Sequence, residues 1–172
     1  MGQSWSYMRK VLEKENICES LKGRIQYFAT RYKKSHDEEG RVAIRLDGKE
    51  IFKSCFYDWQ NKRIEVEENI VIPDIEKISF SEYWNRVHLE TKSFAGFDQY
   101  GFYEAFYFYQ NHSIDESMVC SDPVVRLFAI LDERIGKRTL IKIADKIESQ
   151  PEWLQVFHRL RLEADGIFIS VI

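Results

Sequence analysis

The pattern of apolar and polar positions is sharpest between Val42 and Ser54. Val42, Ile44 and Leu46 alternate with Ala43 and Arg45, Asp47-Gly48 supplies turn residues, and residues 50–54 follow. This pattern predicts a tight hairpin in which Ile44 faces Ile51 and Arg45 faces Glu50. Upstream, Ser4 or Ser6 suits a helix cap before Tyr7, Met8, Val11 and Leu12, which recur at helical spacing. Residues 24–34 are aromatic and β-branched and read as a strand running into a polar loop at 35–40. Residues 56–72 fit two periods. Phe56, Trp59 and Arg63 suit a helix, whereas Ile64 and Val66 alternate with Glu65 and Glu67 as in a strand.

Beyond Pro73 the period becomes helical. Residues 94–109 place Phe102, Phe106 and Tyr109 on one stripe, with Tyr103 and Tyr107 beside it. Ser113 and Glu116 have capping-box spacing, and Asp122-Pro123 is a cap followed by proline at the first helical position. Val124, Phe128, Leu131 and Ile135, widened by Leu127 and Ile130, predict a central core helix running to Gly136. Thr139 can cap a further helix, and Ser149 with Glu152 can open a last one that ends at Asp165-Gly166. Residues 167–172 are uncharged and strand-like. Left in solvent they would invite aggregation, so they are expected to pair with the sheet or with a second subunit. The expected fold is α+β. An amino-terminal antiparallel β-meander packs with a helical carboxyl-terminal half in one domain, β-rich over 1–72, helical over 79–166, with a terminal strand at 167–172.

Composition supports a packed core: 44% of the 172 residues are hydrophobic and 31% charged, inside the globular range. The net charge is −3, but its distribution is uneven. Residues 1–34 hold eight Lys and Arg against three acids, whereas residues 71–122 hold three against nine. Cys18, Cys55 and Cys120 are too widely spaced for a metal knuckle, and three free thiols suit a reducing, cytoplasmic compartment. No apolar run is long enough to cross a bilayer, and residues 1–10 lack the apolar core of a signal peptide.

Two polar segments could carry chemistry. Arg31, Lys33, Lys34, His36, Asp37 and Arg41 crowd a predicted hairpin loop, but consecutive loop side chains diverge, so a solvated turn explains them better than a metal or phosphate site does. Arg134, Lys137 and Arg138 flank Gly136, where a phosphate loop would require glycine in place of Leu131 and Ser or Thr in place of Arg138. Cations at a helix end beside a left-handed glycine give a structural alternative. The four histidines form no metal-ligating pattern, and no catalytic motif or cofactor fingerprint occurs.

Three blocks carry a family resemblance: Leu21-Lys22-Gly23-Arg24 with Arg31-Tyr32-Lys33-Lys34-Ser35-His36-Asp37-Glu38-Glu39-Gly40-Arg41; Leu131-Asp132-Glu133-Arg134-Ile135-Gly136-Lys137-Arg138-Thr139-Leu140; and Pro151-Glu152-Trp153 with Phe157 and Leu160-Arg161-Leu162-Glu163-Ala164. Together they resemble a family of small uncharacterised bacterial proteins. The resemblance implies a bacterial cytosolic protein and assigns no catalytic residue or cofactor. Two function classes follow. The preferred one is a non-catalytic binding or interaction module whose partner is another protein, using the 35–40 loop and the basic end at 134–138. The other is a phosphate-handling protein, a nucleic-acid binder or a metal-dependent hydrolase, using Arg24, Arg31, Lys33, Lys34 and Arg41 with Lys137 and Arg138. Nucleic acid is the less favoured partner, and no membrane partner is expected.

Overall fold

A computed structural model describes residues 4–31, 40–144 and 146–168, with the backbone alone at Arg31. Three antiparallel strands, β1 (Ile25–Arg31), β2 (Gly40–Leu46) and β3 (Lys49–Cys55), form a sheet in sequence order. Asp47 and Gly48 both have positive φ, 50° and 80°, as a two-residue hairpin turn requires. Arg45 faces Glu50 as expected, but Ile44 faces Phe52 rather than Ile51, because the register shifts at Ile44/Arg45. The extra residue is a β-bulge. It leaves Phe52 stacked on Phe97 at 4.7 Å and tilted against Trp153 and Phe157.

Ser4 caps α1 (Trp5–Lys10), which continues as a π-helical turn through Glu15. That turn buries Glu13, whose carboxylate accepts the Tyr27 N–H at 2.7 Å and so satisfies a donor on edge strand β1. Residues 56–72, ambiguous in sequence, fold as α2 (Phe56–Asn69), followed by an irregular segment through Ile72. It pairs with α3 (Phe80–Ala95) as a helical hairpin. Only Trp59 and Val66 of α2 are fully buried. Its apolar face is thin, and the overlapping strand-like alternation of Ile64 and Val66 is what tertiary context overrides.

The remaining helices are α4 (Gln99–Asn111), α5 (Ile114–Val119), α6 (Pro123–Leu131), α7 (Lys137–Ala144) and α8 (Glu152–Ala164). The Ser113–Glu116 capping box and the Asp122-Pro123 start both form. Helix α6 is buried at every position except Arg126, and Phe128 meets Tyr27, Phe102, Phe106 and Tyr109 edge-on. One apolar cluster thus joins the sheet to α4, α6 and α8.

Helix α6 stops at Leu131, short of the expected Gly136, and Gly136 does not adopt the left-handed cap. Buried side chains take over the capping. Asp132 accepts the Arg134 N–H at 2.8 Å, while Arg161 donates to the carbonyls of Leu131, Asp132 and Ile135, each at 3.1 Å. Helix α8 begins after Pro151, and Ser149 instead lies in a 3-10 turn. Ile167 packs on Ile135, Leu140 and Leu162, and neither it nor Phe168 is in a strand; the rest of the expected terminal strand lies outside the described residues.

Candidate functional site

A cleft of about 390 Å³ opens where the α2–α3 hairpin meets the start of α4. From α2 come Trp59 and Arg63, from α3 Trp84, His88 and Lys92, and from α4 and its cap Asp98 and Glu104. Four-residue spacing puts Trp59 and Arg63 on one face of α2, and Trp84, His88 and Lys92 on one face of α3. The rings interleave. His88 lies edge-on to Trp59 at 5.5 Å and tilted to Trp84 at 6.0 Å, and the Arg63 guanidinium sits 5.2 Å from the Trp84 ring centre. Trp59 is 5% exposed, and its indole N–H has no hydrogen-bond partner among the described residues.

The cations of the cleft are already paired. Lys92, 6% exposed, reaches Asp122 at 2.5 Å, and Arg63 donates to Glu67 and Gln60, each at 2.8 Å. The carboxylates are not. Asp98, 5% exposed, accepts only the Gly101 N–H at 2.8 Å, as the cap of α4, and forms no ion pair among the described residues. Burial pushes its carboxyl above the ordinary pKa, and the Glu104 charge adds to that while Gly101 and Lys92 oppose it. Glu104 is exposed and makes no hydrogen bond or ion pair among the described residues. Partial burial lowers the His88 pKa, and the Lys92 charge lowers it further. After internal pairing, the cleft offers aromatic faces and carboxylate oxygens, a combination suited to a cation.

The residues singled out from sequence lie elsewhere. Arg41, at the start of β2, bonds Glu50 on β3, which also takes Arg45 at 3.1 Å. Arg24 is paired with Asp47 at 2.8 Å. Arg31 closes β1, its side chain undescribed, and Lys33, Lys34, His36 and Asp37 lie outside the described residues. Arg134 is bound to Asp132 at 2.6 Å, while Lys137 and Arg138 are exposed in the first turn of α7. Because α6 has already ended, these last two sit at a helix amino terminus, where the dipole disfavours cations. Arg41 and Arg134 are held by different carboxylates, Glu50 on the sheet and Asp132 past the end of α6. Nor do the described residues hold a group of three or more His, Cys, Asp and Glu that could bind a metal.

The cleft residues were missed because residues 56–72 had no settled period. The signal was present in the four-residue steps Trp59–Arg63 and Trp84–His88–Lys92.

The sequences that define the SF0329 protein family match residues 4–162, nearly the whole chain. The chain belongs to that family. Membership bears out the resemblance to a conserved uncharacterised family seen in the three sequence blocks. No curated protein and no solved structure matches the chain. Among the described residues, no helix of this family member is long and apolar enough to cross a membrane.

Proposed function

We propose that the chain is a non-catalytic protein-binding module whose α2–α3–α4 cleft receives a basic side chain from a partner polypeptide. One observation carries this reading: Arg63 and Lys92 are paired internally, while Glu104, which lines the cleft together with Trp84 and Trp59, has no partner among the described residues. A lysine or arginine entering there gains a carboxylate and aromatic faces together. The acidic balance of residues 71–122, which contribute Trp84, His88, Asp98 and Glu104, adds attraction for such a partner. The exposed Phe80, edge-on to Trp84, and Tyr57, edge-on to Phe56 of the cleft, supply apolar area beside it. The reading places the protein in the bacterial cytoplasm, for which its three free thiols speak.

The phosphate-handling alternative draws little support, since Arg24 and Arg41 are neutralised by Asp47 and Glu50. The test is a titration followed by tryptophan fluorescence, with a lysine- and arginine-rich octapeptide, its glutamate-rich counterpart and a single-stranded oligonucleotide. The basic peptide should bind, and Glu104→Gln and Trp84→Ala should each weaken it. Binding of the acidic peptide or the oligonucleotide in its place overturns the reading.

A further inference from the structure

A second cavity, of about 530 Å³, lies among α5, α6, α7, the segment 146–150 and the middle of α8, away from the α2–α3 hairpin. Its size falls within the roughly 300–1,000 Å³ usual for small-molecule sites. Met118, Ile130 and Ile143 give it apolar walls. Among the described residues its charged lining is one-sided: Arg126, Lys142 and Lys146 stand against Asp115.

The polar groups in these walls are unusual because several are buried without partners. His158 is 1% exposed, and among the described residues neither ring nitrogen has a well-aligned hydrogen-bond partner, the Leu140 backbone being the one polar group that favours its charged form. Arg126 donates through Nη1 to the carbonyls of Cys120 and Ser121, yet its buried Nε has no partner and no carboxylate lies within ion-pair distance among the described residues. Gln150 Oε1 is likewise buried and unpaired. Leaving such a group unsatisfied is costly, so a folded protein rarely gathers several around one space without use for them.

We infer that this cavity binds a small amphiphilic carboxylate, with the apolar body against Met118, Ile130 and Ile143 and the head group taken by Arg126 and His158. The planar guanidinium fits a carboxylate, Lys142 and Lys146 attract the anion to the mouth, and Gln150 can accept from a hydroxyl or amide of the ligand. The site is independent of the α2–α3–α4 cleft.

The experiment is calorimetric titration of the full chain with octanoate, octan-1-ol, octylamine and octyl phosphate, with the His158 ring signals followed by NMR. Octanoate should bind, shift the His158 resonances and outcompete the alcohol, and Arg126→Gln should weaken it about tenfold or more, as expected for loss of a charge-assisted hydrogen bond. Should Arg126→Gln fail to fold, the comparison of head groups on the unaltered protein still decides. Equal binding of octanoate and octanol, or preference for octylamine, would show a merely greasy cavity and overturn the assignment. Binding of octyl phosphate without octanoate would overturn the carboxylate. No binding, or binding without movement of the His158 signals, removes the site.

Discussion

The Tyr109 hydroxyl on α4 donates a hydrogen bond to Asp132 Oδ2, just past the last turn of α6, and both residues are at least 98% buried. Asn16 donates to the same hydroxyl at 2.9 Å, and Arg134 holds the carboxylate from outside. The amino-terminal segment, α4 and the end of α6 therefore meet at one buried carboxylate. Asp132→Ala would strand the buried Tyr109 hydroxyl and release the half-exposed Arg134 guanidinium to solvent, and should cost about 1–3 kcal/mol, the range for leaving a buried polar group without its partner. Asp132→Asn, which keeps the shape, should cost less. Urea unfolding of both variants checks this, and a loss below about 1 kcal/mol for the alanine variant would show that the network is not structural.

Phe128→Ala should destabilise the protein by about 3–5 kcal/mol, because the ring is 2% exposed and four aromatic neighbours surround it. Arg159→Ala, on the exposed face of α8, should stay within about 0.5 kcal/mol. Denaturant melts giving equal losses would contradict the placement of α6 at the centre.

Gly96 ends α3 with φ +75°, and a Cβ there would lie 2.4 Å from the Phe52 ring. Gly96→Ala should therefore cost more than the roughly 1 kcal/mol that a positive φ alone exacts, because Phe52 is itself held against Phe97. Thermal melts should show it clearly less stable than Gly23→Ala, where φ is also positive but the added Cβ meets nothing within 4 Å.

The order of elements was legible where a single physical signal dominated. Asp47-Gly48 sets the hairpin, Ser113 with Glu116 and Asp122 with Pro123 set two helix starts, and the stripe through Val124 and Phe128 marks the core helix. What was hidden depends on long-range partners. The bulge at Ile51 accompanies stacking of Phe52 on Phe97, 45 positions away in sequence. The end of α6 at Leu131 follows from Arg161, whose role as a carbonyl clamp no local pattern announces. The cleft lay in α2 and α3, where apolar spacing is weak because little of either helix is buried, while the loop and helix-end cations that stood out in sequence are paired, exposed or outside the described residues.

Burial holds the His158 imidazole below its ordinary pKa, partly offset by the Leu140 backbone. The fold thus favours the neutral ring and the unfolded chain the protonated one. This contribution is fully present above the ordinary histidine pKa and is lost as pH falls through the depressed value. Between pH 7 and pH 5 stability should fall, and His158→Phe should lose less over that interval than the unaltered protein. His88, also lowered, leaves part of the slope in place. Urea midpoints at the two pH values check it. A slope unchanged by the substitution would mean that His158 does not titrate in this range.

The most direct measurement of the proposed recognition is backbone amide NMR of the full chain during titration with a lysine- and arginine-rich octapeptide. The account predicts shifts concentrated at Trp59, Arg63, Trp84, His88 and Glu104, including the unpartnered Trp59 indole N–H, and their loss in Glu104→Gln. Shifts confined to the sheet or to α7, or undiminished in Glu104→Gln, would contradict it.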